Sequence, residues 1–305
     1  MAYTLPAGAP ARLGLADYVD HISATVDTAD TDSVLASADA LQALNDDADL
    51  LVDHLNRELD DLASWQRGNP YMGPSLLLGR GENFTVRANI WLPPARRSLQ
   101  EEQTLHSYEV PHDHTFSFLT VGHFGPGYQT TIWEYDPARV SGEPGEHVEL
   151  HLLEHTDLPR GKVMYYRAGR DVHTQHQPPA LSVSLNLLIH HQDNPHTQQR
   201  FFDTDNGRLT HSTPSPLSRG HQLLCDLAGH LGDQRTAPLL EHLATTHPAP
   251  AVRASALTNA VRLLGPAAEP VLIQAADDPH PAVHGPARNI LTSGTEPAGQ
   301  VTATR

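Results

Sequence analysis

The sequence predicts a mainly β protein with added α structure: a β-barrel over residues 69–213, an acidic helical segment over 1–68, a helical module over 214–292 and a disordered tail over 293–305. Three observations carry this. Seven short β-rich runs, broken by Gly and Pro, crowd into about 115 central residues, the pattern of a sandwich or barrel and not of βαβ units. Leu/Ala-rich stretches with helical spacing lie on both sides of them. Of the 21 histidines, 13 fall between His106 and His211, which marks the middle of the chain for metal or acid–base chemistry.

Composition narrows the chemistry before any motif is read. At 305 residues, 39% hydrophobic and 18% charged, the chain is long enough for a large domain with an appended module. Its mean hydropathy of -0.40 is that of a water-soluble chain. No apolar run reaches the roughly 18 to 20 residues of a membrane helix, and the N-terminus has no signal-peptide pattern, so a cytoplasmic location is expected. The single cysteine, Cys225, can form neither an internal disulfide nor a thiolate zinc site, so any metal must rest on nitrogen and oxygen ligands. A net charge of -16 opposes nucleic acid and anionic lipid as partners. Lys162 is the only lysine, and no Gly-rich loop precedes a helix, which argues against P-loop and Schiff-base chemistry.

Up to Trp65 there are 13 acidic residues against Arg12 and Arg57, so -11 of the net charge sits in the first fifth of the chain. From Thr31, the residues Leu35, Ala38, Leu41, Leu44, Leu51, Leu55, Leu59 and Leu62 recur at steps that predict one long helix with an apolar stripe and an acidic, solvated face. After Pro70 the predicted β-runs are 75–79, 83–94, 114–123, 128–136, 147–155, 162–169 and 180–190. Beyond Pro216 the helical pattern returns. Pro238–Leu240 through Pro250–Ala254 to Leu264 is echoed by Pro270–Leu272 through Pro281–His284 to Leu291, at an offset of 31 to 32 residues. This pair resembles HEAT repeats, helix pairs that stack on a shared apolar seam, and implies a packing or dimerising module, so a homodimer is a possible assembly.

The strongest local signal is Pro111–Phe118. Strand alternation sends His112, His114, Phe116 and Phe118 to one face, where two imidazoles can grip one ion. The run Phe84–Trp91 divides the same way, with Phe84, Val86, Ala88 and Ile90 on one face and Thr85, Arg87, Asn89 and Trp91 on the other. That second face either looks into the barrel, where an arginine fork can hold a carboxylate, or is exposed.

The segment resembles the first motif of the cupin superfamily, in which H-x-H is followed by three or four residues, an acidic ligand, six residues and a glycine. His112, His114 and Gly125 keep that register, and Phe118 stands at the acidic position. Without that carboxylate the resemblance points to the three-histidine subgroup exemplified by thiol dioxygenases. The second motif is best matched by Ala168–His173, which makes His173 the third ligand, although the usual proline before the glycine is absent; the later asparagine is Asn186. His176 and His123 compete for the third place, while His147, His151, His155, His190, His191 and His196 read as solvated or strand-end histidines. His191–Asp193 also fits the H-x-D opening of the facial triad of 2-oxoglutarate oxygenases.

The resemblance implies a double-stranded β-helix barrel and a non-haem Fe(II) oxygenase that acts with O2 on a small polar, carboxylate-bearing or amino-acid-like substrate. The ligand set alone also accepts Ni, Mn, Zn or Cu. Candidate catalytic groups are Glu134, as a base or fourth ligand, and Tyr165; candidate substrate-binding groups are Arg87, Asn89, Tyr128 and Arg167, with Tyr166 close by in sequence. The alternatives are a metal-dependent isomerase or lyase on the same barrel and a non-catalytic ligand-binding protein with a helical interaction module.

Overall fold

The computed structural model describes residues 3–6, 11–63, 65–71, 73–94, 99–190 and 198–293. The expected disordered tail, apart from Ser293, and the H-x-D segment at 191–193 lie outside them. In chain order the elements are β1 (Tyr3–Leu5), α1 (Leu15–Thr25), α2 (Thr31–Ala36), α3 (Ala38–Asn45), α4 (Leu50–Asp60), β2 (Ser75–Arg80), β3 (Phe84–Trp91), α5 (Leu99–His106), β4 (Ser117–Phe124), β5 (Gln129–Glu134), β6 (His151–Asp157), β7 (Val163–Tyr166), β8 (Asp171–Gln175), β9 (Ser182–Ile189), β10 (Gln199–Asp203) and β11 (Arg208–Thr213). Then follow α6 (Pro216–Leu231), α7 (Ala237–Thr246), α8 (Pro250–Leu264), α9 (Glu269–Ala275) and α10 (Pro281–Ser293). The described residues divide into two compact units, one drawn from those up to 139, 147–190 and 199–211, the other from 140–146, 198 and 212–293.

The single long acidic helix expected from Thr31 is three helices, and α1 precedes them. Short polar side chains make the breaks. Asp30 accepts the Asp32 N–H at 3.1 Å where α2 starts, the Ser37 hydroxyl donates to the Val34 carbonyl at 2.7 Å where it stops, and Asp47 accepts the Asp49 N–H at 3.1 Å before α4. Each break resets the helical phase. Leu41, Leu44 and Leu50 are buried, whereas Leu55, Leu59 and Leu62 at the end of the predicted stripe are exposed.

A six-stranded sheet in the order β1-β7-β4-β9-β3-β2 and a three-stranded sheet β6-β5-β8 are built from antiparallel pairs, and β10 and β11 form a separate two-stranded sheet. The seven predicted runs thus correspond to strands, and β1, β8, β10 and β11 are additional. The large sheet separates two apolar cores because its residues alternate. Val86, Ala88, Leu119, Val121, Val163, Tyr165, Leu185 and Leu187 pack with Tyr18, Ile22, Leu41 and Leu44 of the helices. Trp91, Phe118, Met164, Tyr166 and Leu188 point the other way and join Tyr128 and Ile132. The site is built in this second layer.

The second unit has its own core, in which Cys225, Leu240, Ala244, Val252, Leu257, Ala260, Val271, Leu272 and Val283 are buried between α6 and α10. Arg253 donates from Nε to Asp278 at 2.7 Å and ties α8 to the loop before α10. None of the described helices is long and apolar enough to cross a membrane.

Candidate metal centre

Histidines 112, 114 and 173 converge: one ring nitrogen from each lies within 4.8 Å of the others, and the ring centroids are 4.7 to 4.9 Å apart. His112 does not sit on a long strand, as the alternation read over Pro111–Phe118 expected. It forms isolated antiparallel bridges with His173 and Phe201, and β4 starts only at Ser117. The bridge to His173 is reciprocal, with His112 N–H donating to the His173 carbonyl at 3.1 Å and His173 N–H donating back at 2.9 Å. One backbone rung therefore holds the two imidazoles side by side, and β8, which pairs with β5 through His173 and Ile132, anchors that rung to the small sheet.

The ring chemistry is that of a metal ligand set. His112 Nδ1–H donates to the Val110 carbonyl at 2.7 Å, which leaves Nε2 as its free donor atom. His173 is fully buried, and among the described residues neither of its ring nitrogens has a hydrogen-bond partner. Burial, and after it the neighbouring imidazoles and Arg87, push His114 and His173 well below the ordinary imidazole pKa; burial alone is the main cause for His112. All three are thus held neutral, the form that binds a metal. Phe116 stacks on His114 at 4.5 Å, and Tyr166 meets His173 edge-on at 4.9 Å, so aromatic rings pack against the cluster.

A cavity of about 290 Å³ opens at this cluster, with His112, His114, Arg87, Asn89, Tyr71, Trp91, Phe116, His106, Gln175 and Gln199 in its wall. The polar face of β3 points into it, as one of the two readings of Phe84–Trp91 expected. Arg87 is half-buried, carries the Tyr71 ring at 4.8 Å from its guanidinium carbon and, among the described residues, has no partner for Nε. Burial lowers its pKa to about 10, which leaves it charged at neutral pH. Asn89 accepts from the Ser75 hydroxyl at 2.8 Å, and Asn186 of β9 stands opposite Arg87 in register. Among the described residues, no carboxylate lines the cavity.

Four candidates lie elsewhere. Tyr165 packs with the helix-facing core, because β7 alternates and Tyr166 takes the site-facing position. Glu134 is paired with Arg167 at 2.9 Å, and this bond is the first cause of its lowered pKa. Arg167 is consumed by the same pair and by Asp171, whose carboxylate also accepts the Arg167 N–H at 2.7 Å. Tyr128 is buried with its ring 4.4 Å from Trp91, so it supports a wall residue without entering the wall. The competing histidines are also engaged: His123 meets Asn45 at 3.0 Å on the helix side, and His176 binds Glu109 at 2.8 Å and Thr131 at 2.8 Å. Sequence reading missed Tyr71, Phe116 as a wall, His106, Gln175 and Gln199, which come from five separate segments. The alternation of Val172 and Thr174 around His173 was the available signal for β8.

No protein-family model and no curated protein matches the sequence. Solved structures with a similar stretch include a DMSP lyase (12% identity, 39% of this chain and 44% of that one, TM-score 0.23). Others are a hydroquinone 1,2-dioxygenase from Sphingomonas sp. TTNP3 (10%, 40% and 68%, 0.26) and a cupin domain from Bordetella pertussis Tohama I (13%, 38% and 92%, 0.21). The chain spans less than half the length of the DMSP lyase.

Proposed function

We propose that this chain is a metal-dependent enzyme of the cupin type whose ion is held by His112, His114 and His173, and that it works as a non-haem Fe(II) oxygenase on a small carboxylate-bearing or amino-acid-like molecule. The observation that carries the reading is His173, fully buried with two unpartnered ring nitrogens beside two further imidazoles. A buried polar group left unpaired costs about 1–3 kcal/mol, and a bound ion offsets that cost. Three neutral nitrogen donors suit Fe(II) and equally Ni, Cu or Zn. Bound there, Fe(II) would supply open positions for substrate and O2.

The residues around the ion define the substrate by charge. A dication with three neutral ligands, next to the half-buried Arg87 and with no carboxylate in the described wall, leaves a positive site in a low-dielectric pocket. An anion relieves it, and the guanidinium fork offers a carboxylate two parallel hydrogen bonds. Asn89, Gln175 and Gln199 add neutral hydrogen-bonding groups, while Tyr71, Trp91 and Phe116 exclude water. A proton-shuttling isomerase or lyase has less support, since Glu134, the carboxylate foreseen for that role, is bound to Arg167.

Metal analysis of anaerobically purified protein, followed by oxygen uptake against a panel of amino acids and small carboxylic acids, tests this. Stoichiometric iron with substrate-dependent oxygen consumption is expected. Zinc or manganese with no oxygen consumption would replace the oxygenase with the isomerase or lyase, and the absence of stoichiometric metal would leave a ligand-binding protein.

A further inference from the structure

We propose that Asp113, the residue between the two histidines, forms with Tyr135 and Arg200 a positioning clamp that sets the angle at which His112 and His114 present their nitrogens; this rests on the reading of the three imidazoles as metal ligands. The segment needs such a device. Residues 111–113 form no regular strand and are held only by single rungs. His112 exchanges backbone hydrogen bonds with His173 on one side. On the other, Asp113 N–H donates to the Arg200 carbonyl at 3.0 Å and Phe202 N–H to the Pro111 carbonyl at 2.9 Å. The ligand segment is thus a bridge between β8 and β10, and from Asp113 to Phe116 it leaves any ladder.

The side chain of Asp113 is fully buried and engaged away from the imidazoles. One carboxylate oxygen accepts the Arg200 N–H at 2.6 Å, and the other accepts the Tyr135 hydroxyl at 2.7 Å. Arg200 Nη1 donates to the same hydroxyl at 2.8 Å. A single phenol therefore donates to one partner and accepts from another, which leaves its proton one direction. The carboxylate is held at both oxygens, one by backbone and one by a side chain that the arginine orients in turn. A buried carboxylate is desolvated at a cost of several kcal/mol, and an apolar residue would fill the same volume more cheaply, so a pair of directed hydrogen bonds here sets geometry in preference to stability. Because Asp113 is covalently bound to both neighbours, fixing its plane fixes the backbone torsions from which the His112 and His114 rings project. Among the described residues Tyr135 donates its hydroxyl hydrogen bond to Asp113 and lines no part of the cavity, so its effect on the ligand segment passes through Asp113.

The test uses Co2+ alone as the probe, titrated into the metal-free full chain and followed by its visible ligand-field absorption. Tyr135→Phe keeps volume and removes one hydrogen bond; Asp113→Asn keeps shape and removes the charge; Tyr165→Phe, equally buried but on the helix side, is the control. For Tyr135→Phe the Co2+ Kd is expected to rise about 10- to 100-fold, with a shifted band at saturation, as for other residues that orient metal ligands. Tyr165→Phe should match the wild type in both readouts. A Tyr135→Phe protein with wild-type Kd and an unshifted band overturns the clamp while leaving the metal site standing. Failure of the wild type itself to bind Co2+ overturns the ligand reading and the clamp together. Should Asp113→Asn fail to fold, the isosteric Tyr135→Phe still decides.

Discussion

At the scale of single residues the consequences divide by atom. His112→Ala, His114→Ala and His173→Ala each remove a ligand and should cost most of the bound metal, whereas His176→Ala, whose ring is held by Glu109 and Thr131, should retain it. Metal-to-protein ratios measured on the four variants check this, and loss of metal from His176→Ala would move the site. Arg87→Ala should raise the apparent KM about 10- to 100-fold, by removing a charge-assisted pair of about 1.5–3 kcal/mol, with metal content normal. Loss of metal together with activity would instead make Arg87 part of the structure of the site. Acid should destabilise the metal-free protein. Burial lowers the pKa of all three imidazoles from 6.5 in the fold, while the unfolded chain still takes up protons near 6.5. Above that pH neither state binds the proton, and below it only the unfolded chain does. Stability is therefore lost as pH falls from 6.5 toward the depressed values, by up to about 1.4 kcal/mol per pH unit for each imidazole. Thermal unfolding at pH 7.5 and 5.5 should show a lower Tm at the acid end, and a smaller drop in His173→Ala.

At the scale of elements, strands were legible where pleat and polarity agree. The faces of β3 read correctly from Phe84–Trp91 because one is wholly apolar and the other carries Arg87 and Asn89. In β7 all four residues are buried, so no alternation between wet and dry distinguishes Tyr165 from Tyr166, and only the packing on each side of the sheet does. The strand β8 escaped because five residues beginning with Asp171 look like a polar loop until both faces are covered. The turn after β4 requires glycine for a steric reason. At Gly127, φ is +83° and an added Cβ would come within 1.9 Å of the Leu158 carbonyl oxygen. Gly127→Ala should therefore destabilise by more than about 1 kcal/mol, whereas Gly220→Ala, in helical α6 with open space around it, should stabilise by roughly that amount. Urea unfolding of the two variants gives opposite signs if these environments are right.

At the scale of the whole molecule, α6 is apolar on more sides than its own unit uses. Ser218, Cys225 and Gly229 face the core of the second unit, while Leu217, Leu223, Leu224, Leu227 and Leu231 are exposed. An exposed apolar stripe of this kind is normally covered, so concentration-dependent self-association is expected, as the homodimer read from the sequence would require. Sedimentation velocity over a hundredfold range of concentration should detect it, and Leu224→Glu with Leu231→Glu should abolish it, as should ending the chain at Thr213. A single species at every concentration would contradict the expectation. What the sequence determined by itself was local: the nitrogen-and-oxygen ligand chemistry forced by one cysteine, the paired imidazoles of His112 and His114, and the pleat parity that aims Arg87 with Asn89. What only the tertiary structure decided was convergence. His173 lies 59 residues beyond His114, and its gathering with His112 and His114, the pairing of His176 with Glu109, the ion pair between Glu134 and Arg167, and the closing of Tyr135 and Arg200 on Asp113 depend on which distant strands become neighbours. Periodicity reports the direction of a side chain relative to its own backbone; it holds no record of what stands opposite, and that is set by the packing of the sheets.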